Sequence, residues 1–112
     1  MLKPKKEGIG IFGGSFDPPH KGHTEISKIT LKKINLKKIY WIITKKNPFK
    51  NKPFFTIEER LKKSKKVLKK NINIEVLYLD DLIKSSRTIK VIKYFRKVKN
   101  QKNLYLIVGS DN

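Results

Sequence analysis

The sequence has no cysteine and no alanine, a single tryptophan, two histidines and only nine acidic residues in 112. The missing cysteines exclude disulfides, thiolate metal sites and cysteine nucleophiles together. No apolar run approaches the ~20 residues that cross a bilayer. The basic start, Met1 to Lys6, is followed by an apolar run of only Ile9 to Phe12. That is too short for a signal peptide, so the expected address is the cytoplasm. The length suits one small domain, expected to take in residues 1–112. Hydrophobic residues make up 38%, enough for one core and too much, in runs too strong, for a disordered chain.

The scarcity of acids leaves a formal net charge of +19. Of the 28 basic residues only Arg60, Arg87 and Arg96 are arginine, and the lysines are spread along the whole chain. Planar, bidentate contacts to phosphates and base edges favour arginine. The lysines therefore read as a solvated surface produced by compositional drift, with a nucleic-acid-binding face as the alternative. Either way, a positive field recruits small anionic substrates.

Hydrophobic patterning alternates in type along the chain. Residues 7–13 form a short apolar run ending in glycines, a strand candidate. Gly22 to Ile34 places Ile26, Ile29 and Ile34 at roughly helical spacing. Lys38 to Thr44 is continuously apolar and rich in β-branched and aromatic residues, which suits a strand buried on both faces. Lys45 to Phe55, with Asn47, Pro48 and Pro53, reads as a loop. Thr56 and Glu59 make a capping-box pattern opening a helix with Ile57, Leu61, Ser64 and Leu68 on one face. Asn73 to Leu79 is a third strand candidate. Ser85 or Ser86 can cap a helix carrying Ile89, Ile92 and Phe95, and Asn103 to Val108 is a fourth strand. The alternation predicts an α/β fold, a parallel sheet wrapped by helices. Ligands bind such sheets beyond the carboxyl ends of the strands, where the strand order reverses. The loop Gly13 to His23 and the end of the fourth strand, Gly109 to Asn112, are favoured on that ground.

The first of these loops reads Gly-Gly-Ser-Phe-Asp-Pro-Pro-His-Lys-Gly-His and holds both histidines of the chain. Glycines let backbone N–H groups approach a phosphate. Pro18 and Pro19 stiffen the loop. His20 and His23 bracket the expected start of a helix, where unpaired N–H groups and a partial positive charge favour phosphate. The competing readings are a metal pair helped by Asp17, and a plain turn. The run from Gly8 to Gly13 also fits G-x-G-x-x-G. It lies inside the strand instead of after it, and no acid follows the second strand, so it is read as chance.

The loop resembles the signature of the HxGH nucleotidyltransferase superfamily, and specifically of the bacterial nicotinate-nucleotide adenylyltransferase family. Three further stretches are similar in order and spacing: Tyr40 to Lys50, Phe54 to Leu61, and Leu106 to Asn112. The resemblance implies a Rossmann-like sheet in the order 3-2-1-4 and a reaction. ATP and nicotinate mononucleotide would give the dinucleotide and pyrophosphate, with Mg²⁺. By that resemblance His20 and His23 hold the ATP phosphates. Gly13, Gly14, Ser15 and Phe16 line the nucleotide site through their backbone, and Gly109 and Asp111 meet the ribose or adenine. Lys50 faces phosphate in the substrate loop, and Thr88 meets the mononucleotide. Val91 stands where the family has a second threonine, so a hydroxyl contact is lost. A nicotinamide mononucleotide or phosphopantetheine acceptor, and a non-catalytic nucleic-acid-binding module, stay as alternatives. Family members continue past the equivalent of Asn112 with a Ser-Ser-Thr-x-x-Arg motif and an aromatic for the nicotinate ring. Without that part, the fourth strand is expected to be an apolar edge that invites self-association, and turnover to be weak or absent.

Overall fold

A computed structural model describes residues 7–45, 53–69, 71, 73–84, 88–101 and 103–108. Strand β1 (Ile9–Gly14) is followed by helix α1 (Lys21–Lys33), β2 (Lys38–Ile43), α2 (Ile57–Leu68) and β3 (Ile74–Leu77). A short helix α3 (Asp80–Ile83) then precedes α4 (Thr88–Lys97) and β4 (Leu104–Ile107). The four strands form one parallel sheet in the order β3-β2-β1-β4. The expected order is thus borne out, and β1 is a central strand. It pairs with β2 from Ile9↔Lys38 to Gly14↔Ile43, and with β4 from Ile9↔Leu104 to Phe12↔Ile107.

The period-two alternation of side chains divides the apolar strands between two faces. Phe12, Ile39, Trp41, Ile43, Ile74 and Val76 join Phe16, Leu36 and Leu68 in one cluster, with Leu31 of α1 and Leu61 of α2 packed against it. Ile11 and Ile42 join Leu79, Val91 and Phe95 in the other. Helices α1 and α2 therefore cover one face, and α4 the other. The glycines of the G-x-G-x-x-G run lie within or just before β1, as the chance reading requires. Gly10 is there for packing: a Cβ on it would come within 2.9 Å of Ile39 and 3.0 Å of Leu36.

Two helix faces differ from the expectation. In α1 the buried positions are Thr24 and Ser27, while Ile26 and Ile29 are exposed. The reason is the single tryptophan. Trp41 is fully buried and its Nε1–H donates to Ser27 Oγ at 2.9 Å. A buried indole N–H needs such an acceptor, and a small polar residue at the contact lets the helix approach the sheet. In α4, Val91 and Phe95 face the core and Ile89 is half exposed. Val91 is a core side chain, which accounts for an apolar residue where the family has threonine. The expected caps Ser85 and Ser86 lie outside the described residues. Among the described residues no helix is long and apolar enough to cross a membrane.

Candidate functional site

The loop that leaves the carboxyl end of β1 runs from Ser15 to His20 and enters α1 at Lys21. His20 is the N-cap of α1, and the two histidines form a capping box. The backbone N–H of His20 donates to His23 Nδ1 at 3.0 Å, and the N–H of Gly22 donates to His20 Nδ1 at 3.0 Å. An imidazole nitrogen that accepts a hydrogen bond carries no proton, so in both neutral rings the proton sits on Nε2. The rings lie 4.0 Å apart between centroids and are tilted by 37°. Two Nε2–H donors are thus held side by side, each on the far side of its ring from the capping contact.

Gly22 is needed for that arrangement. A Cβ there would lie 2.7 Å from Cε1 and 2.8 Å from Nδ1 of His20. The residue between the histidines therefore has to be glycine if the first ring is to fold over the helix start. Gly13 is a contrasting case, since a Cβ on it would meet nothing within 4 Å. No packing in the described protein requires the glycine at that position, which leaves room above the end of β1.

His23 is fixed from beneath. Its carbonyl accepts from Ser27 Oγ at 2.8 Å, and the same oxygen of Ser27 accepts from Trp41. Its ring packs on Phe16 at 4.7 Å and on Phe12 at 5.7 Å. Phe16 is buried, stacks on Trp41 at 4.8 Å and has a left-handed backbone, φ 49°. A non-glycine residue in that region is strained by roughly 1–2 kcal/mol. Burial of the ring, about 1.5–3 kcal/mol for a fully buried large apolar side chain, offsets it.

Sequence reasoning missed the residues under the loop. Arg60 of α2 is 1% exposed and donates to five backbone carbonyls. They are Ser15 (3.0 Å), Thr44 (2.8 Å), Lys45 (2.8 Å), Phe55 (3.1 Å) and Thr56 (3.4 Å). Burial pushes its pKa below the ordinary value, and the nearby charges of Asp17 and Asp80 act against that. The guanidinium stays protonated regardless. Buried Asp17 accepts from the N–H groups of Phe54 (2.5 Å) and Phe55 (2.8 Å), and Asp80 accepts from Lys45 N–H at 2.7 Å. The signals were present: one of only three arginines, one turn before Ser64 and two before Leu68, just inside a capping box. The buried stripe of α2 is centred on Arg60, Ser64 and Leu68.

The structure brings His20, His23, Gly13, Gly14, Ser15 and Phe16 into one place. Ile107 pairs with Phe12, so the carboxyl end of β4 lies beside the strand that leads into this loop. Gly109, Asp111 and Lys50 lie outside the described residues. Thr88 opens α4, on the other side of the sheet from α1 and α2. Among the described residues there is no group of three or more histidine and acidic side chains that could hold a metal ion. Both Nδ1 atoms and both oxygens of Asp17 already accept backbone N–H groups.

The cytidylyltransferase-like family profile matches residues 11–112. The chain belongs to the cytidylyltransferase-like family. Curated relatives of this cytidylyltransferase-like chain carry the name probable nicotinate-nucleotide adenylyltransferase. The one from Pelagibacter ubique is 47% identical over 111 residues, which is 99% of this chain and 61% of the relative. The one from Sulfurovum sp. is 36% identical over 116 residues, 100% of this chain and 59% of the relative. This chain therefore spans about three fifths of the length of those proteins. A solved structure, Plasmodium falciparum nicotinic acid mononucleotide adenylyltransferase complexed with NaAD, matches with a TM-score of 0.73 at 18% identity. The match covers 94% of this chain and 53% of that one, and it is a likeness of fold.

Proposed function

We propose that this chain transfers the adenylyl group of ATP to nicotinate mononucleotide, giving deamido-NAD and pyrophosphate. The observation that carries the reading is the pair of histidines at the start of α1, each Nδ1 accepting a backbone N–H and the two rings 4.0 Å apart between centroids. The names of the curated relatives support the same substrates.

In this reaction a phosphate oxygen of the mononucleotide attacks the α-phosphorus of ATP. A new P–O bond forms as the bond to the β-phosphate oxygen breaks, and pyrophosphate leaves with the charge that develops. Such transfer needs positioning and charge stabilisation more than covalent help from the protein. His20 and His23 supply N–H donors to the triphosphate at a helix N-terminus, where the dipole adds to their effect. Gly13 to Phe16 let the nucleotide approach the backbone. Lys50, Gly109, Asp111 and Thr88 complete the site as the resemblance assigns them. Mg²⁺ arrives with ATP as part of the substrate, and the cytoplasm is the compartment that fits these substrates.

Self-association belongs to the same reading. β4 is the outermost described strand on its side of the sheet, and its Tyr105 and Leu106, with the following Val108, are exposed. An apolar edge pairs readily with another chain. Sedimentation should show a concentration-dependent species that Leu106→Lys reduces.

Calorimetric titration with ATP, with and without nicotinate mononucleotide, tests the function on wild type and His23→Ala. ATP binding that His23→Ala abolishes is expected, with pyrophosphate release only when the mononucleotide is present. Steeply salt-dependent binding to nucleic acid together with indifference to ATP would overturn it.

A further inference from the structure

We propose that Arg60 is a positioning residue for the nucleotide site, and that it acts by setting the direction of the Ser15–Phe16 peptide. The inference rests on reading the loop after β1 as the triphosphate site, and it goes further by assigning one backbone donor to the ligand and naming the side chain that aims it. Arg60 Nη1 holds the carbonyl of Ser15 at 3.0 Å from below. The Ser15–Phe16 bond is trans, the one cis peptide among the described residues being Asp17–Pro18. In a planar trans peptide the N–H points opposite to the C=O. Fixing the Ser15 oxygen on the guanidinium therefore turns the Phe16 N–H away from Arg60. That N–H finds no acceptor among the described residues.

The left-handed backbone of Phe16 has the same origin. Its ring is held down on Trp41 at 4.8 Å while the preceding carbonyl is held by Arg60, and the backbone between these two anchors has φ at 49°. Strain of this kind persists where the surroundings over-determine it, and it gathers at ligand sites. The other bonds of the same guanidinium brace its position. They reach Thr44 and Lys45 at the end of β2 and Phe55 and Thr56 at the start of α2. Asp17, one residue beyond Phe16, accepts from the N–H groups of Phe54 and Phe55 and ties the loop to the start of α2. Lysine cannot replace this fork, since a single ammonium on a flexible stem cannot address carbonyls from two strand ends and a helix start at once.

The test uses the ¹⁵N-labelled full chain titrated with Mg²⁺–ATP, read by calorimetry and by amide shifts and hydrogen exchange. In wild type the Phe16 amide should shift strongly and become protected on binding. Arg60→Lys should weaken ATP binding at least about tenfold, which is about 1.4 kcal/mol, and remove most of the Phe16 response. Ser64→Ala changes a buried side chain one turn further along the same helix without touching the loop carbonyls, and should leave ATP affinity within twofold. A folded Arg60→Lys that binds ATP like wild type would overturn the proposal. So would wild type that binds ATP while its Phe16 amide stays silent, a result that needs no variant to fold. Wild type that binds no ATP at all is a different failure, since it sinks the reading of the loop itself and this proposal with it.

Discussion

Helices α1 and α2 begin with the same hydrogen-bonding device built from opposite chemistry. At α2, Thr56 Oγ1 accepts from Glu59 N–H and Glu59 Oε1 accepts from Thr56 N–H, both at 3.1 Å. Glu58 and Glu59 place two negative charges in the first turn, where the helix dipole favours them. At α1 the same two contacts are made by imidazoles, no acid stands in the first turn, and Lys21 occupies its first position. The start of α2 is neutralised from within. The start of α1 is left positive, at a small expense in helix stability. Both helices have the capping box, and what differs is its charge: carboxylates at α2, imidazoles beside a lysine at α1, which leaves the start of α1 suited to an anion from outside.

The largest effect is expected from His20→Asp. Aspartate is among the best N-cap residues, so the helix start is retained and stability should change by no more than about 0.5 kcal/mol. Binding should not survive, because a carboxylate faces the triphosphate. Like charges in contact cost several kcal/mol, so ATP affinity is expected to fall about 100-fold or more by calorimetry, while the urea midpoint hardly moves. Unaltered ATP affinity would place the triphosphate elsewhere.

Gly22→Ala comes next. The added Cβ meets the His20 ring and must push it off the helix start. Alanine is the better helix former by about 1 kcal/mol. Misplacing one binding group by an ångström weakens a site severely, and a loss of about tenfold in ATP affinity is expected alongside a higher melting temperature. Stability and binding moving in opposite directions is the signature. If both rise or both fall, Gly22 serves the helix and not the ring.

Much of this was legible in the residues, and what was not has a physical reason. The strand runs announce themselves because parallel strands buried on both faces are continuously apolar, and Lys38–Ile43 is the clearest case. The histidine loop stands out because its residue types are costly in a plain turn. The face of α1 was misread because isoleucine spacing is a reliable guide only when the core needs bulk. Here it needs an acceptor for Trp41, which Ser27 provides and Ile26 cannot. Arg60 escaped for a similar reason. Charged residues are almost never fully buried unless paired, and its partners are carbonyls, which no residue type in the sequence advertises.

A milder change sharpens the contrast from the α1 side. Lys21→Glu puts an acid into the first turn and so makes α1 resemble α2. It should stabilise the helix by about 0.3–1 kcal/mol at low ionic strength. ATP affinity should fall by about fivefold, an effect that shrinks as salt is added because Lys21 is exposed and screened. An affinity that stays constant across the salt series would show that charge at this terminus is irrelevant to the ligand.

Thr56→Ala is the matching change at α2, and its expected effect on ATP is nil. Removing the hydroxyl leaves the Glu59 N–H to water, which can reach it because this contact is exposed. The reciprocal bond from the backbone N–H of residue 56 to Glu59 remains possible, so the expected loss of stability is about 1 kcal/mol, within the usual range for a cap. The backbone carbonyl that Arg60 uses at this residue is kept. Nothing in the variant then alters the five-carbonyl grip on the loop, and ATP should bind within about twofold of wild type once the folded fraction is accounted for. A larger drop would mean that fraying at the start of α2 reaches the Ser15 carbonyl through Arg60. In that case the two helix termini are one mechanical unit, and the ligand feels the capping of both.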